Sequence, residues 1–340
     1  MEFVTVGDHT TLLYYDAEKM EWEQIDVGST FDPRAGSGDP LEPAAWAGPR
    51  FALSFGRRWI YSSLLMREDG HGIALGDLSD PGFIVRLDGE PVDDRTHVVV
   101  PGHDGGWVVA WSRFIKDLRG DLRIAHIGPD GVVRHLRTLE RAVVIQALDL
   151  VWTPTGHILV FSTVDEYPRM GELVALALAA DGRPRDRMRI AAVSVDSLHI
   201  AVDADDVHIV HVDHGNMWQS ALDWRGELRL VRAPSKVWGA GKTNLWVDAW
   251  IHHRGRFWAA ARADNCHVHG CDGPALVVIQ VLDHTGQASA TFELDRGGYS
   301  IHPIALGRMG NAVIAAWQRR GKDEPVRFAS LHCPERITSP

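Results

Sequence analysis

A short apolar strand, a tight turn and a second apolar strand recur six times along this chain. They read RFALSFGRRWIYSSLL, HVVVPGHDGGWVVAWSR, LDLVWTPTGHILVFSTVD, HIAVDADDVHIVHVD, WVDAWIHHRGRFWAAARAD and HPIALGRMGNAVIAAWQRR. The turn residues Gly56, Gly106, Gly156, Asp206, Gly255 and Gly310 follow one another at 50, 50, 50, 49 and 55 positions. A fixed period of this length decides the architecture before any local assignment does.

Each unit continues into a second hairpin with a glycine at its turn: LGDLSDPGFIV, HIGPDGVVRHL, LAADGRPRDR, LDWRGELRLV and LDHTGQASATF. Asp-Gly and related pairs between apolar runs are strong hairpin signals. No segment sustains a helical period with caps, so the chain reads as all-β, with four short strands per repeat. Such units build a β-propeller, whose blades bury their faces against each other around a central channel. The expectation is one propeller domain over residues 1–340 with seven blades, six being the alternative. Strands from both termini are expected to close the ring, because an open ring leaves bare strand edges.

Nearly half the chain is apolar (45%), enough for a sizeable core, and the formal net charge is -10. That charge argues against non-specific binding to nucleic acid or to an anionic membrane, both of which require a cationic surface. The start, MEFVTVGDHTTLLYYD, lacks the pattern of a secretory signal and no apolar run reaches spanning length, so a cytoplasmic location is expected. The three cysteines, Cys266, Cys271 and Cys333, do not form an extracellular disulfide framework. Oligomeric state is left open.

The rhythm VD…VHIVHVD resembles that of sialidase-like and lyase-like propellers along nearly the whole chain, although no Asp box, no Trp-Asp dipeptide and no regularly repeated kelch Gly-Gly is present. In SLHIAVDADDVHIVHVDHGN, strand alternation sends His208 and His211 to opposite faces, which prevents joint chelation and makes them packing or surface residues. His199 differs, because it is read as opening an innermost strand, as are His97 and His302, with Gln146 just before another. Such positions would converge at the channel mouth. His97, His199, His302 and Gln146 are therefore a candidate site for one divalent ion (Zn, Mn or Fe), or else polar groups lining a wet channel. Three histidines with a glutamine resemble the site of some propeller polysaccharide lyases.

Loops on the same end add Glu166, Tyr167 and Tyr299, and the innermost-strand start of the first repeat adds Arg50, as proton-transfer or anion-holding candidates beside the three histidines. Trp218, Trp238, Trp246, Asn244, Lys242 and His214 are candidate contacts for a small-molecule or oligosaccharide ligand. The loop ADNCHVHGCDG invites a zinc reading but has no closed ligand spacing, and VWGAGKTN lacks the upstream glycine of a phosphate-binding loop. Two functions follow: a carbohydrate- or small-molecule-active enzyme (lyase, hydrolase or isomerase), or a lectin-like or scaffold propeller that binds without chemistry. The loops do not repeat as the strands do, which favours a single grafted site.

Overall fold

The computed structural model describes residues 3–6, 11–16, 21–26, 50–53, 59–67, 70–77, 80–87, 93–116, 119–164, 171–193, 195–203, 206–239, 244–264, 266–267, 270–271, 276–296, 304–309, 311–317 and 327–332. All regular structure among them is β. The first sheet holds β1 (Phe3–Val6), β2 (Thr11–Asp16) and β3 (Glu21–Asp26); the second holds β4 (Arg50–Leu53), β5 (Trp59–Arg67), β6 (Gly70–Asp77) and β7 (Asp80–Arg86). A seven-stranded sheet follows, with β8 (Asp93–Pro101), β9 (Trp107–Lys116), β10 (Arg119–Ile127), β11 (Val133–Thr153), β12 (Gly156–Val164), β13 (Gly171–Leu178) and β14 (Pro184–Ala191). The next sheet is β15 (Ser197–Val202), β16 (Asp206–Asp213), β17 (Asn216–Asp223) and β18 (Arg229–Gly239). After it come β19 (Asn244–His253) and β20 (Arg256–Asp264), then the small pair β21 (Cys266–His267) and β22 (Gly270–Cys271), then β23 (Leu276–Leu282) and β24 (Ala288–Arg296), which complete the sheet of β19 and β20. The last sheet is β25 (Ala305–Met309), β26 (Ala312–Trp317) and β27 (Arg327–His332).

The repeat is therefore physical: every sheet is an antiparallel meander, and Gly106, Gly156 and Asp206 occupy equivalent turns between innermost and second strands. The outer hairpins explain the recurring aspartates. Asp130, Asp181, Asp223 and Asp283 each accept, through a side-chain oxygen, the backbone N–H two residues on. Gly131, Gly182 and Gly286 then take positive φ, a conformation that favours glycine. Outermost strands carry Pro81, Pro184 and Pro234, residues confined to sheet edges because they lack an N–H.

Cα packing divides the chain into two compact units: residues 1–28, 215–217 and 236–340 in one, residues 29–214 and 218–235 in the other. In the second unit, Val98, Ala110 and Ile124 pack face to face with Leu150, Phe161 and Leu176. The opposite face of β11–β14 packs Ile158, Val160 and Ala175 on Ile200, Ile209 and Leu222 of β15–β17. In the first unit, Trp258, Ala260 and Ile279 pack on Ile304, Val313 and Leu331. Each fully buried Val, Leu, Ile or Phe side chain among them contributes about 1.5–3 kcal/mol.

Three expectations change. β11 is 21 residues long and serves as the outermost strand of one repeat and the innermost of the next, so two repeats share one continuous sheet. β1 lies alongside β25 and β26, which brings the two chain ends together, but β1–β3 and β25–β27 remain separate three-stranded sheets among the described residues. Closure by a shared sheet is not what forms there. Finally, Trp238 lies on the outermost strand β18, not in a loop.

Candidate functional site

The innermost strands of the larger unit place polar groups at their starting ends. In β11 the pairing with β12 slips between Ile145 and Ala147, and the extra residue, Gln146, is exposed. A bulge re-aims side chains and is common beside binding sites. Ser162 holds the bulge by accepting the Ala147 N–H on its Oγ at 3.1 Å.

Three residues on, Asp149 accepts the Leu150 N–H at 2.8 Å and, across to the next innermost strand, the Ile200 N–H at 2.9 Å. His199 Nδ1 lies 3.8 Å from the same Asp149 oxygen, beyond hydrogen-bond length. Its neighbours Leu198 and Ile200 point into the core, so the partly exposed His199 ring occupies the other face of β15. Asp149 thus fixes β15 against β11 and sets a negative charge beside the imidazole. Asp149→Ala is expected to cost about 2 kcal/mol in urea unfolding, since the Ile200 N–H loses its acceptor.

The segment rich in histidine is a strand pair, as its alternation predicts. His211 shares a face with Val207 and Ile209, which join the core against β11–β14, whereas His208 is on the other face, with Gln219 Nε2 3.4 Å from its Nδ1. His211 is wholly buried, and burial lowers its pKa to about 4 despite the opposing pull of Asp213. Neither of its ring nitrogens has a hydrogen-bond partner, nor do the buried Trp218 Nε1, Gln219 Oε1 and Ser220 Oγ. Five orphaned polar atoms within β16 and β17 is unusual, because native interiors satisfy nearly all such groups. Gln219 and Ser220 escaped sequence reasoning, although two polar residues inside an otherwise apolar third strand were a legible signal.

Other candidates fall differently. β8 and β15 start at Asp93 and Ser197, upstream of the histidines expected to open them. His97 is buried, opposite Trp111 and on the face of Val99, both of which pack toward Val85 and Leu87. His214 is exposed in the two-residue turn before β17, with φ of 48°. Arg50 and Asn244 are the first residues of β4 and β19. Glu166, Tyr167, Lys242, Tyr299 and His302 lie outside the described residues. Among the described residues, no group of three His, Cys, Asp or Glu is placed to hold a metal ion. The Cys266/His267 loop does join second and third strands, with Cys266 and Cys271 directly opposed.

The smaller unit repeats the carboxylate device. Asp248, at a register shift in β19, accepts the Ile304 N–H at 3.1 Å and Arg262 Nε at 2.9 Å. The Arg262 guanidinium lies 4.8 Å from the ring centre of the half-buried Trp246, a cation–π contact. Trp246 is thus committed on one side to Arg262.

No family model and no curated protein matches the chain. Solved structures do. A protein of unknown function from Dyadobacter fermentans is 11% identical with a TM-score of 0.52, covering 84% of this chain and 93% of that one. The subtype N10 neuraminidase-like protein of A/little yellow-shouldered bat/Guatemala/060/2010 is 9% identical with a TM-score of 0.51, covering 84% and 94%. Dihydro-heme d1 dehydrogenase NirN is 14% identical with a TM-score of 0.49, covering 96% of this chain, which spans 63% of NirN's length. At such identities the likeness is one of fold alone, and that fold is the all-β propeller.

Proposed function

We propose that this propeller binds and acts on a small polar molecule, a carbohydrate being the leading class, at the starting ends of the innermost strands around β11 and β15–β17. The observation that carries the reading is the partly exposed His199 beside the Asp149 carboxylate, with Gln146 thrown outward by a bulge on the same strand as Asp149. A carboxylate next to an imidazole tunes a proton donor or acceptor, or orients a metal ligand. In this reading His199 exchanges a proton or is one ligand of a divalent ion, and Gln146 hydrogen-bonds the ligand. Lyase, hydrolase and isomerase chemistry all fit such a group. The half-buried Trp246 carrying Arg262 supports a second reading, a propeller that holds a ring-shaped ligand without chemistry.

The test is a thermal-shift screen of mono- and oligosaccharides and polar metabolites, followed by titration and a turnover assay on each hit, with metal content measured by elemental analysis. His199→Ala is expected to weaken binding at least about tenfold, roughly 1.4 kcal/mol, and to abolish turnover. Hits whose affinity ignores both His199→Ala and Gln146→Ala would place the ligand elsewhere. Binding that needs His199 without any turnover would favour the second reading.

A further inference from the structure

At the opposite ends of the innermost strands, two consecutive hairpin turns hold each other through histidines. His157, first in β12 after its turn, has Nε2 3.2 Å from the Pro101 carbonyl at the end of β8. His103, in the turn after β8, has Nε2 3.1 Å from the Gly156 carbonyl. The two rings meet edge to face with centroids 5.2 Å apart, and His103 also lies against Trp152 at 5.1 Å. We propose that this reciprocal His103–His157 pair is an acid-responsive latch, which clamps the β8–β9 turn to the β11–β12 turn at neutral pH and releases it when His157 is protonated.

The contacts fix the protonation states. A carbonyl only accepts, so in each pair the ring Nε2–H donates, and neutral His157 is left with a bare Nδ1. That Nδ1 is buried and makes no hydrogen bond, so a second proton would put a charge in the interior, with the Ala179 carbonyl as its one stabilising neighbour besides Pro101. The surrounding groups do not offset this. Burial is the main influence on the ring and lowers its pKa to about 4; the Pro101 and Ala179 carbonyls pull it back up, while His103 and His126 push it down. The acidic group of the cluster, Asp104, is already engaged by His126 at 3.1 Å and Arg134 at 2.8 Å, and His135 stacks on His126. From β14, Arg185 donates to the Thr155 carbonyl of the same turn and adds positive charge. Release exposes the imidazole to water, where its pKa returns to about 6.5. The closed latch therefore binds fewer protons than the open one, and the open-to-closed ratio rises by up to about tenfold per pH unit as pH falls from 6.5 toward 4.

Hydrogen exchange with mass spectrometry at pH 7 and pH 5, corrected for intrinsic exchange chemistry, tests this on the intact protein. Peptides covering residues 101–107 and 153–158 are expected to lose protection at least tenfold at pH 5 relative to β13, while His157→Gln, whose amide can still donate to Pro101 but does not titrate, keeps the same protection at both pH values. Turns that stay protected in the unmodified protein, or that open equally in His157→Gln, overturn the proposal. Should that variant fail to fold, the ring titration of His157 by NMR, assigned through its own backbone resonances, decides: the latch requires that ring to stay neutral below pH 5, and its titration near 6.5 refutes it.

Discussion

Acidification from pH 7 to pH 4.5 is expected to remove roughly 5 kcal/mol of folding stability, about 2.5 kcal/mol from each of His157 and His211. Both rings are buried and held near pKa 4, mainly by burial, against about 6.5 in an unfolded chain. Between those values the unfolded chain binds the protons that the folded one refuses, so stability falls as pH drops through 6.5 and levels off below 4. Folded domains typically have only about 5–15 kcal/mol to lose. Carboxylates do not explain the same window: Asp104 and Asp283 are held below their usual range, since hydrogen bonds from His126 and the Gly106 N–H for the first, and from Thr285 and Gln287 for the second, outweigh burial. Their contributions disappear at lower pH. Urea midpoints at pH 7, 6, 5 and 4.5 measure the slope. His211→Leu separates the parts, because the ring makes no hydrogen bond to lose: near-neutral at pH 7, it should be more stable than the parent by about 2 kcal/mol at pH 4.5. An unchanged pH slope in that variant would show that His211 takes up no proton on unfolding.

The two histidines of β16 mark the limit of what the residues alone could tell. That His208 and His211 face opposite ways follows from strand period, and the structure bears it out. That His211 is wholly buried with both nitrogens orphaned depends on which sheet covers its face, a tertiary fact. The turns were legible because their chemistry is local: Asp283 accepts from Thr285 two positions on, and Gly286 supplies the positive φ. β11 was not legible as one strand, because HLRTLERAVVIQALDLVW has no residue that tells a sheet-to-sheet crossing from a continuous ladder. His97 and His199 were read as strand openers because apolar alternation starts there, yet Asp93 and Ser197 pair earlier through backbone groups that do not depend on side-chain type. The carboxylates at Asp149 and Asp248 were overlooked despite a usable signal: each interrupts an apolar innermost strand, and they stand 99 positions, two periods, apart. Asp149 bonds the backbone of the next innermost strand and Asp248 that of Ile304, just before the next one, so charge within those strands serves assembly as well as the site.

The glycines that mark the period answer to different forces, and substitution should separate them. Gly156→Ala is expected to cost about 3 kcal/mol or more. A Cβ there would sit 1.9 Å from the Leu178 carbonyl oxygen of the neighbouring strand β13, and φ is 155°. No rotamer relieves a clash between Cβ and backbone. The β12–β13 ladder must part by more than 1 Å at His157 and Leu178, and the displaced Gly156 carbonyl also serves His103 and Thr153. Gly106→Ala meets the same obstacle, with its Cβ 2.0 Å from the Ile127 carbonyl, and should cost a similar amount. Gly255 keeps its place for another reason: φ is 70°, and no atom lies within 4 Å of an added Cβ, so Gly255→Ala should cost only about 1–2 kcal/mol of backbone strain. Urea unfolding of the three variants should therefore rank Gly156 and Gly106 well above Gly255. Losses at Gly156 and Gly106 no larger than at Gly255 would mean that the close approach of the neighbouring strand is not what fixes glycine at those two turns.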